Sequence, residues 1–286
     1  MSSAFILSIY CIVIVLASLL GGWLPTKIRL THRRMQFVMS FVGGLMLGVG
    51  MFQMLPHAQE SMGSVNKAML MTMLGLLTMF FLIRIFDFHQ HVPLEDESTC
   101  SIDHDHTHSH ARNGHDFGWM GVALGLALHT ALDGVALAAA VQMEYVHGDA
   151  WGLFGVGTFL AIALHKPLDA MTITSMMMIA KRSASMRQLV NAGFAMMCPL
   201  GAAIFLSSIG FFNAEVSKVV VGGALAFSAG IFFCISLGDI LPEVQFHRHD
   251  RVKLSLALLL GISIAWGVER LHSHEHVAQQ TRQVTP

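Results

Sequence analysis

The chain has 286 residues, 54% of them hydrophobic and only 12% charged, with a formal net charge of -1; a soluble domain carries about a quarter charged residues. This balance excludes an ordinary soluble globule and predicts an all-α polytopic membrane protein in contact with a lipid bilayer. A net charge this small, with no basic run interleaved with aromatics, excludes nucleic acid as a partner, and the sequence holds no C-x-x-C pair and no G-x-x-x-x-G-K-[ST] phosphate loop, so neither a disulfide framework nor direct ATP coupling is expected.

Eight apolar stretches, each near the roughly 17 to 25 residues that cross a bilayer, are read at 4–24, 37–56, 68–86, 118–141, 151–180, 189–212, 219–243 and 254–270. No basic residue precedes the first, and Lys27, Arg29, Arg33 and Arg34 follow it, the pattern of a retained span rather than a cleaved signal peptide. The second ends with Gln53, Leu55, Pro56, His57 and Glu60. Between the third and fourth lies 88–117, a loop with the run Asp103-His104-Asp105-His106-Thr107-His108-Ser109-His110, whose composition is that of a disordered metal-capturing segment. Glu144-Tyr145-Val146-His147-Gly148-Asp149 is expected to break the chain between the fourth and fifth spans. The seventh carries Asp239 and Glu243 near its end, and 271–286 forms a tail containing His272, His274 and His276. The whole of 1–286 is read as one transmembrane domain.

Twelve Lys and Arg residues cluster in the loops after spans one, three, five and seven, against four on the opposite side. The side rich in basic residues is the cytoplasmic one. Both termini are therefore expected outside the cytoplasm, in a plasma or inner membrane, and a homodimer is compatible with the sequence without being specified by it.

Spans two and seven share a pattern. Gly44-Leu45 through Gln53-Met54-Leu55-Pro56 matches Gly230-Ile231 through Asp239-Ile240-Leu241-Pro242, on spans running in opposite directions. This predicts an inverted repeat, spans 1–3 against 6–8, around a central pair formed by spans four and five.

That central pair carries the chemistry. His129 and Asp133 are four residues apart in the fourth span, and His165 and Asp169 are four apart in the fifth. Residues so spaced share one face of a helix, and ionisable groups at lipid depth are costly and usually functional. Two imidazoles and two carboxylates suit Zn2+, and also Fe2+, Mn2+ or Co2+. Pro167 removes one helix hydrogen bond and frees the carbonyl of Ala163. Gln53 and His57 on one side, with Asp239 and Glu243 on the other, mark an ion path. The 20 methionines are scattered, as adaptable packing residues are.

These residues resemble the ZIP family of divalent metal transporters. His129, Asp133 and Gly134 are similar to the family's H-N-x-x-[ED]-G signature, and His165, Pro167 and Asp169 to its [HQ]-[ED]-x-P-x-[EH] region. The resemblance implies a fold of eight spans with outside termini and a histidine-rich loop after the third. It also implies a second metal position, whose ligands are replaced here by Thr130, Lys166 and Cys198. A Lys ammonium repels a second cation at close range, so a one-ion site is expected, with Lys166 tuning its charge. The function expected is secondary or passive transport of Zn2+ or a related ion toward the cytoplasm, and no enzymatic activity. The alternatives are an intramembrane metal-dependent hydrolase and a metal-responsive receptor that does not transport.

Overall fold

A computed structural model describes residues 2–26, 32–86, 118–147, 155–240 and 251–284. Among these the chain is helical: α1 (Ser3–Trp23), α2 (His32–Val49), a π-helical turn (Gly50–Met54), α3 (Leu55–Met62), α4 (Val65–Ile85), α5 (Gly118–His147), α6 (Val156–Ile179), α7 (Ala184–Ala195), α8 (Met197–Ile209), α9 (Ala214–Ile235), a second π-helical turn (Ser236–Ile240) and α10 (Arg251–Val284). Side-chain caps start three of them. The oxygens of Ser2, Ser183 and Asn213 accept from the amides of Phe5, Met186 and Val216, each satisfying one orphan donor of a first turn.

Among the described residues, seven stretches are long and apolar enough to cross a membrane, where the sequence alone predicts eight. The helix that falls outside that set is α6. Its middle carries His165, Lys166, Pro167 and Asp169, so the residues that make it interesting also depress its hydropathy. Other boundaries differ for local reasons. Within the break expected over 144–149, α5 runs on to His147, and the Glu144 carboxylate accepts the Gly155 amide at 2.7 Å, tying the end of α5 to the start of α6. The sixth span divides into α7 and α8 around Met196; Pro199 has no N–H to offer the carbonyl of Ala195, so the helix restarts there. The backbone of α10 stays helical to Val284, beyond the predicted end at 270.

Polarity is arranged inside out relative to a water-soluble bundle. Along α4, Met69, Leu70, Met73, Leu77, Phe80 and Phe81 face outward, an apolar surface suited to lipid, and the helical backbone satisfies its own hydrogen bonds. The interior instead holds Gln53, His129, Thr130, Asp133, His165 and Lys166.

The helices pack in four main pairs: α2 along α10, α4 along α9, α1 along α6 and α5 along α8. Glycine permits the closest passes. A Cβ on Gly44 would run into the carbonyl of Leu258, one on Gly230 into that of Thr72, one on Gly75 into that of Phe227 and one on Gly261 into that of Phe41. Nearer the centre, a Cβ on Gly134 would meet the Cys198 carbonyl, and one on Gly201 the Ala131 carbonyl. These two contacts set α5 against α8, and a Cβ on Gly21 would meet the Pro167 backbone, which sets α6 against α1.

Candidate metal centre

His129 and Asp133 project from α5, and His165, Lys166 and Asp169 from α6. The i, i+4 spacing brings each pair to one face, and the packing of α5 on α6 turns the two faces together. Relative exposure is 2% for His129, 1% for Asp133, 5% for His165 and 0% for Lys166. Lys166 is the largest of the fully buried side chains among the described residues.

Asp133 is the hub. Its Oδ2 lies 3.3 Å from His129 Nε2 and 3.2 Å from His165 Nε2, and it ion-pairs with the Lys166 ammonium. Lys166 Nζ also lies 3.0 Å from Asp169 Oδ2 and donates to Thr130 Oγ1 at 3.0 Å. The two imidazole rings are 5.6 Å apart between centroids and inclined by 27°. His129, Asp133 and His165 each offer one ligand atom, all within 4.8 Å of one another, and theirs is the one such group of three among the described residues.

A backbone contact orients one of these ligands. His165 Nδ1 donates to the Ala161 carbonyl at 2.8 Å, and a carbonyl can only accept, so in the neutral ring Nε2 presents its lone pair to the centre. Nε2 of His165 and Oδ2 of both aspartates then converge as electron-pair donors, an arrangement that a cation reconciles. Within the chain that cation is Lys166. The spacing also suits a metal: with bonds of 2.0 to 2.1 Å, tetrahedral ligand atoms stand about 3.3 Å apart, close to the 3.3 and 3.2 Å separations around Asp133. Asp169 stands further off, its Oδ2 4.0 Å from His129 Nε2 and 3.8 Å from His165 Nε2, and its side chain is 12% exposed. It is bound first to Lys166.

The remaining sequence candidates are distributed as follows. Thr130 touches Lys166. Cys198 is buried in α8, its carbonyl against Gly134. Gln53 and His57 line a small cavity with Met143, Glu144 and Thr158. Asp239 belongs to the second π-helical turn, but its side chain, together with Glu243 and His104, His106, His108 and His110, lies outside the described residues. Sequence reasoning missed the Ala161 carbonyl, although it lies one helical turn before His165, and did not place Met143, Glu144 and Thr158 at the cavity. Glu144 was legible only as a helix breaker, because its partner Gly155 is eleven residues further along the chain.

Comparison with known proteins agrees with this chemistry. A family model described as ZIP zinc transporter matches residues 5–269. Zinc transporter ZIP9-B of Xenopus laevis is 32% identical over 144 residues, 49% of this chain and 45% of that protein. Zinc transporter ZIP9 of Micropogonias undulatus is 31% identical over 131 residues, 44% of this chain and 40% of the other; its namesake in Macaca fascicularis is 31% identical over 167 residues, 53% of this chain and 67% of the other. The matched part thus spans less than half the length of the Xenopus and Micropogonias proteins.

Proposed function

The chain belongs to the ZIP zinc transporter family, and on that premise we propose that it carries Zn2+, or a related ion such as Fe2+, Mn2+ or Co2+, across a bilayer toward the cytoplasm through a one-ion site. His129, Asp133, His165 and Asp169 hold the ion. The observation that carries this reading is the convergence of His129, Asp133 and His165 ligand atoms within 4.8 Å in a buried interior. Transport is secondary or passive, by alternating access.

The α6 helix is the eighth span in this reading. Its length of 24 residues is sufficient, and it packs against α1, α2, α5 and α7, so its polar middle is shielded from lipid by protein. An inverted repeat is supported by the glycine crossings. The partners Gly44 and Leu258 exchange places with Gly230 and Thr72, and Gly75 and Phe227 with Gly261 and Phe41. One displacement of 186 residues relates both sets, from 44 to 230, 72 to 258, 75 to 261 and 41 to 227. The π-helical turns, 50–54 and 236–240, obey the same displacement, and each stands just before a Leu-Pro. A proline cannot donate to the carbonyl four residues earlier, and a widened turn is one way for the helix to accommodate that loss.

The positive loops orient the molecule with both termini outside and 88–117 inside, in a plasma or inner membrane. Released metal then meets the loop histidines on the cytoplasmic side. Lys166, Thr130 and Cys198 stand where a second ion's ligands would be, and the Lys166 ammonium excludes that ion. An ion must bind weakly enough to leave, and an ammonium that competes for the same carboxylate oxygens provides the competitor.

The test is uptake of radioactive Zn2+ into proteoliposomes. Wild-type protein should accumulate it, and His129→Ala should reduce uptake by about 100-fold or more, at or beyond the upper end of what loss of a group supporting a metal site costs. Wild-type vesicles that take up no divalent ion would end this reading.

A further inference from the structure

We propose that a second, weaker divalent-cation site lies between the π-helical turn, α3, α5 and α6, and that it loads the central site. The inference rests on the transport reading for its role, though not for its chemistry. A cavity of about 10 Å³ is lined there by Gln53, His57, Met143, Glu144 and Thr158, room for one water-sized guest.

Gln53 points to a guest. It is 4% exposed, and its Oε1 is buried without a hydrogen-bond partner. A buried acceptor left unmatched is costly, so its retention calls for a ligand. Its amide is seated against Gly157, where any Cβ would collide with it. The side chain is thus held in a cradle built for it. Glu144, fixed by the Gly155 amide, brings negative charge to the same cavity; His57 and Thr158 add a nitrogen and a hydroxyl, and Met143 a thioether whose sulfur also accepts from Ser61 Oγ at 3.0 Å.

This mixture of nitrogen, oxygen and sulfur selects a borderline cation such as Zn2+. Ca2+ needs six to eight oxygens and would find too few. With a single carboxylate the site leaves a divalent ion one charge short of neutrality, so it holds the ion loosely. Its position suits transfer. Glu144 follows Asp133 by eleven residues on α5, and Thr158 precedes His165 by seven on α6, about 16 and 10 Å at 1.5 Å per residue. The same two helices therefore carry both sites, with the cavity toward the connection between them, the outer side in the proposed topology.

The experiment is Zn2+ binding to the full-length chain in detergent by titration calorimetry, in an Asp133→Asn background that weakens the centre. The histidine-rich loop is common to every variant and cancels in the difference. One weak Zn2+ should remain, and Glu144→Gln or Gln53→Leu added to that background should weaken it at least tenfold, with His57→Asn as a second check on folding effects. In proteoliposomes Glu144→Gln should raise KM severalfold while kcat stays within about twofold. Unchanged Zn2+ affinity in all three variants means that the cavity holds water only, and overturns the proposal. Absence of wild-type flux would instead refute transport, leaving the binding titration to decide this site.

Discussion

The Lys166 ammonium pairs with the Asp133 carboxylate in a fully buried setting, at the same Oδ2 that faces His129 and His165. A metal bound by Asp133 and the two histidines must therefore displace the ammonium or share its carboxylate. In the proposed centre Lys166 is the internal competitor and, without metal, the charge that makes two aspartates tolerable inside the bundle.

Replacing Lys166 by Met, which keeps the length of the side chain and removes its charge, should act in opposite directions on the two states. Breaking a buried ion pair costs about 3 to 5 kcal/mol, so the metal-free protein should melt at a lower temperature than wild type. Zn2+ should then bind at least tenfold more tightly, because it no longer competes with an ammonium, and should raise the melting temperature more than in wild type. Thermal melts with and without Zn2+ check both statements, and equal Zn2+ shifts in the two proteins would contradict them.

The two aspartates should differ, although each is four residues from its histidine. Asp133 touches both histidines and Lys166; Asp169 lies 3.8 and 4.0 Å from the histidine nitrogens and 3.0 Å from Lys166. Asp133→Asn should lower Zn2+ affinity about 100-fold or more, and Asp169→Asn about tenfold, the lower end of what groups supporting a metal site contribute. Calorimetry on the two variants reads the difference, and equal losses would make Asp169 a ligand of the same rank.

Much of this site was legible in the chain. Spacing brought His129 to Asp133 and His165 to Asp169, and the polar cost of these residues in apolar segments marked them as candidates. Rank within the set was not legible, since periodicity assigns a face and not a distance. Lys166 follows His165 directly, and whether it turned inward or away depended on packing against α5. The same limit applied to the fold: α6 was readable as a span by length, yet the four polar or helix-breaking residues in its middle lower its hydropathy. The cavity was hidden for another reason. Gln53 and His57 were read as marks of an ion path, but Glu144 and Thr158 join them only because a π-helical turn, α5 and α6 converge.

The glycine crossings predict matched responses at distant positions. A Cβ at Gly44 would strike the Leu258 carbonyl, and one at Gly230 the Thr72 carbonyl. Backbone cannot yield as a side-chain tip can, so Gly44→Ala and Gly230→Ala should each destabilise by about 1 to 3 kcal/mol, the usual cost of overpacking. A Cβ at Gly223 would meet nothing within 4 Å, and Gly223→Ala should be neutral or slightly stabilising, as alanine is in an open helix position. Melting temperatures of the three purified variants test this, and a tolerated Gly44→Ala beside a damaging Gly230→Ala would break the proposed symmetry.

Metal content separates a one-ion centre from a two-ion one. Lys166 Nζ lies against Asp133 and Asp169 and donates to Thr130, so a second ion at that place would meet an ammonium. At about 4 Å and an effective dielectric of 20, two unit charges already repel by about 4 kcal/mol, and a divalent ion meets twice that. Elemental analysis of the wild type against His129→Ala/His165→Ala should therefore differ by one Zn2+ per chain. Replacing Lys166 by Glu and Thr130 by Asn together removes the ammonium and adds a carboxylate and an amide oxygen. That variant should gain one ion over wild type. A difference of two Zn2+ in the wild type would mean that Lys166 swings out of the centre and leaves room for the second cation.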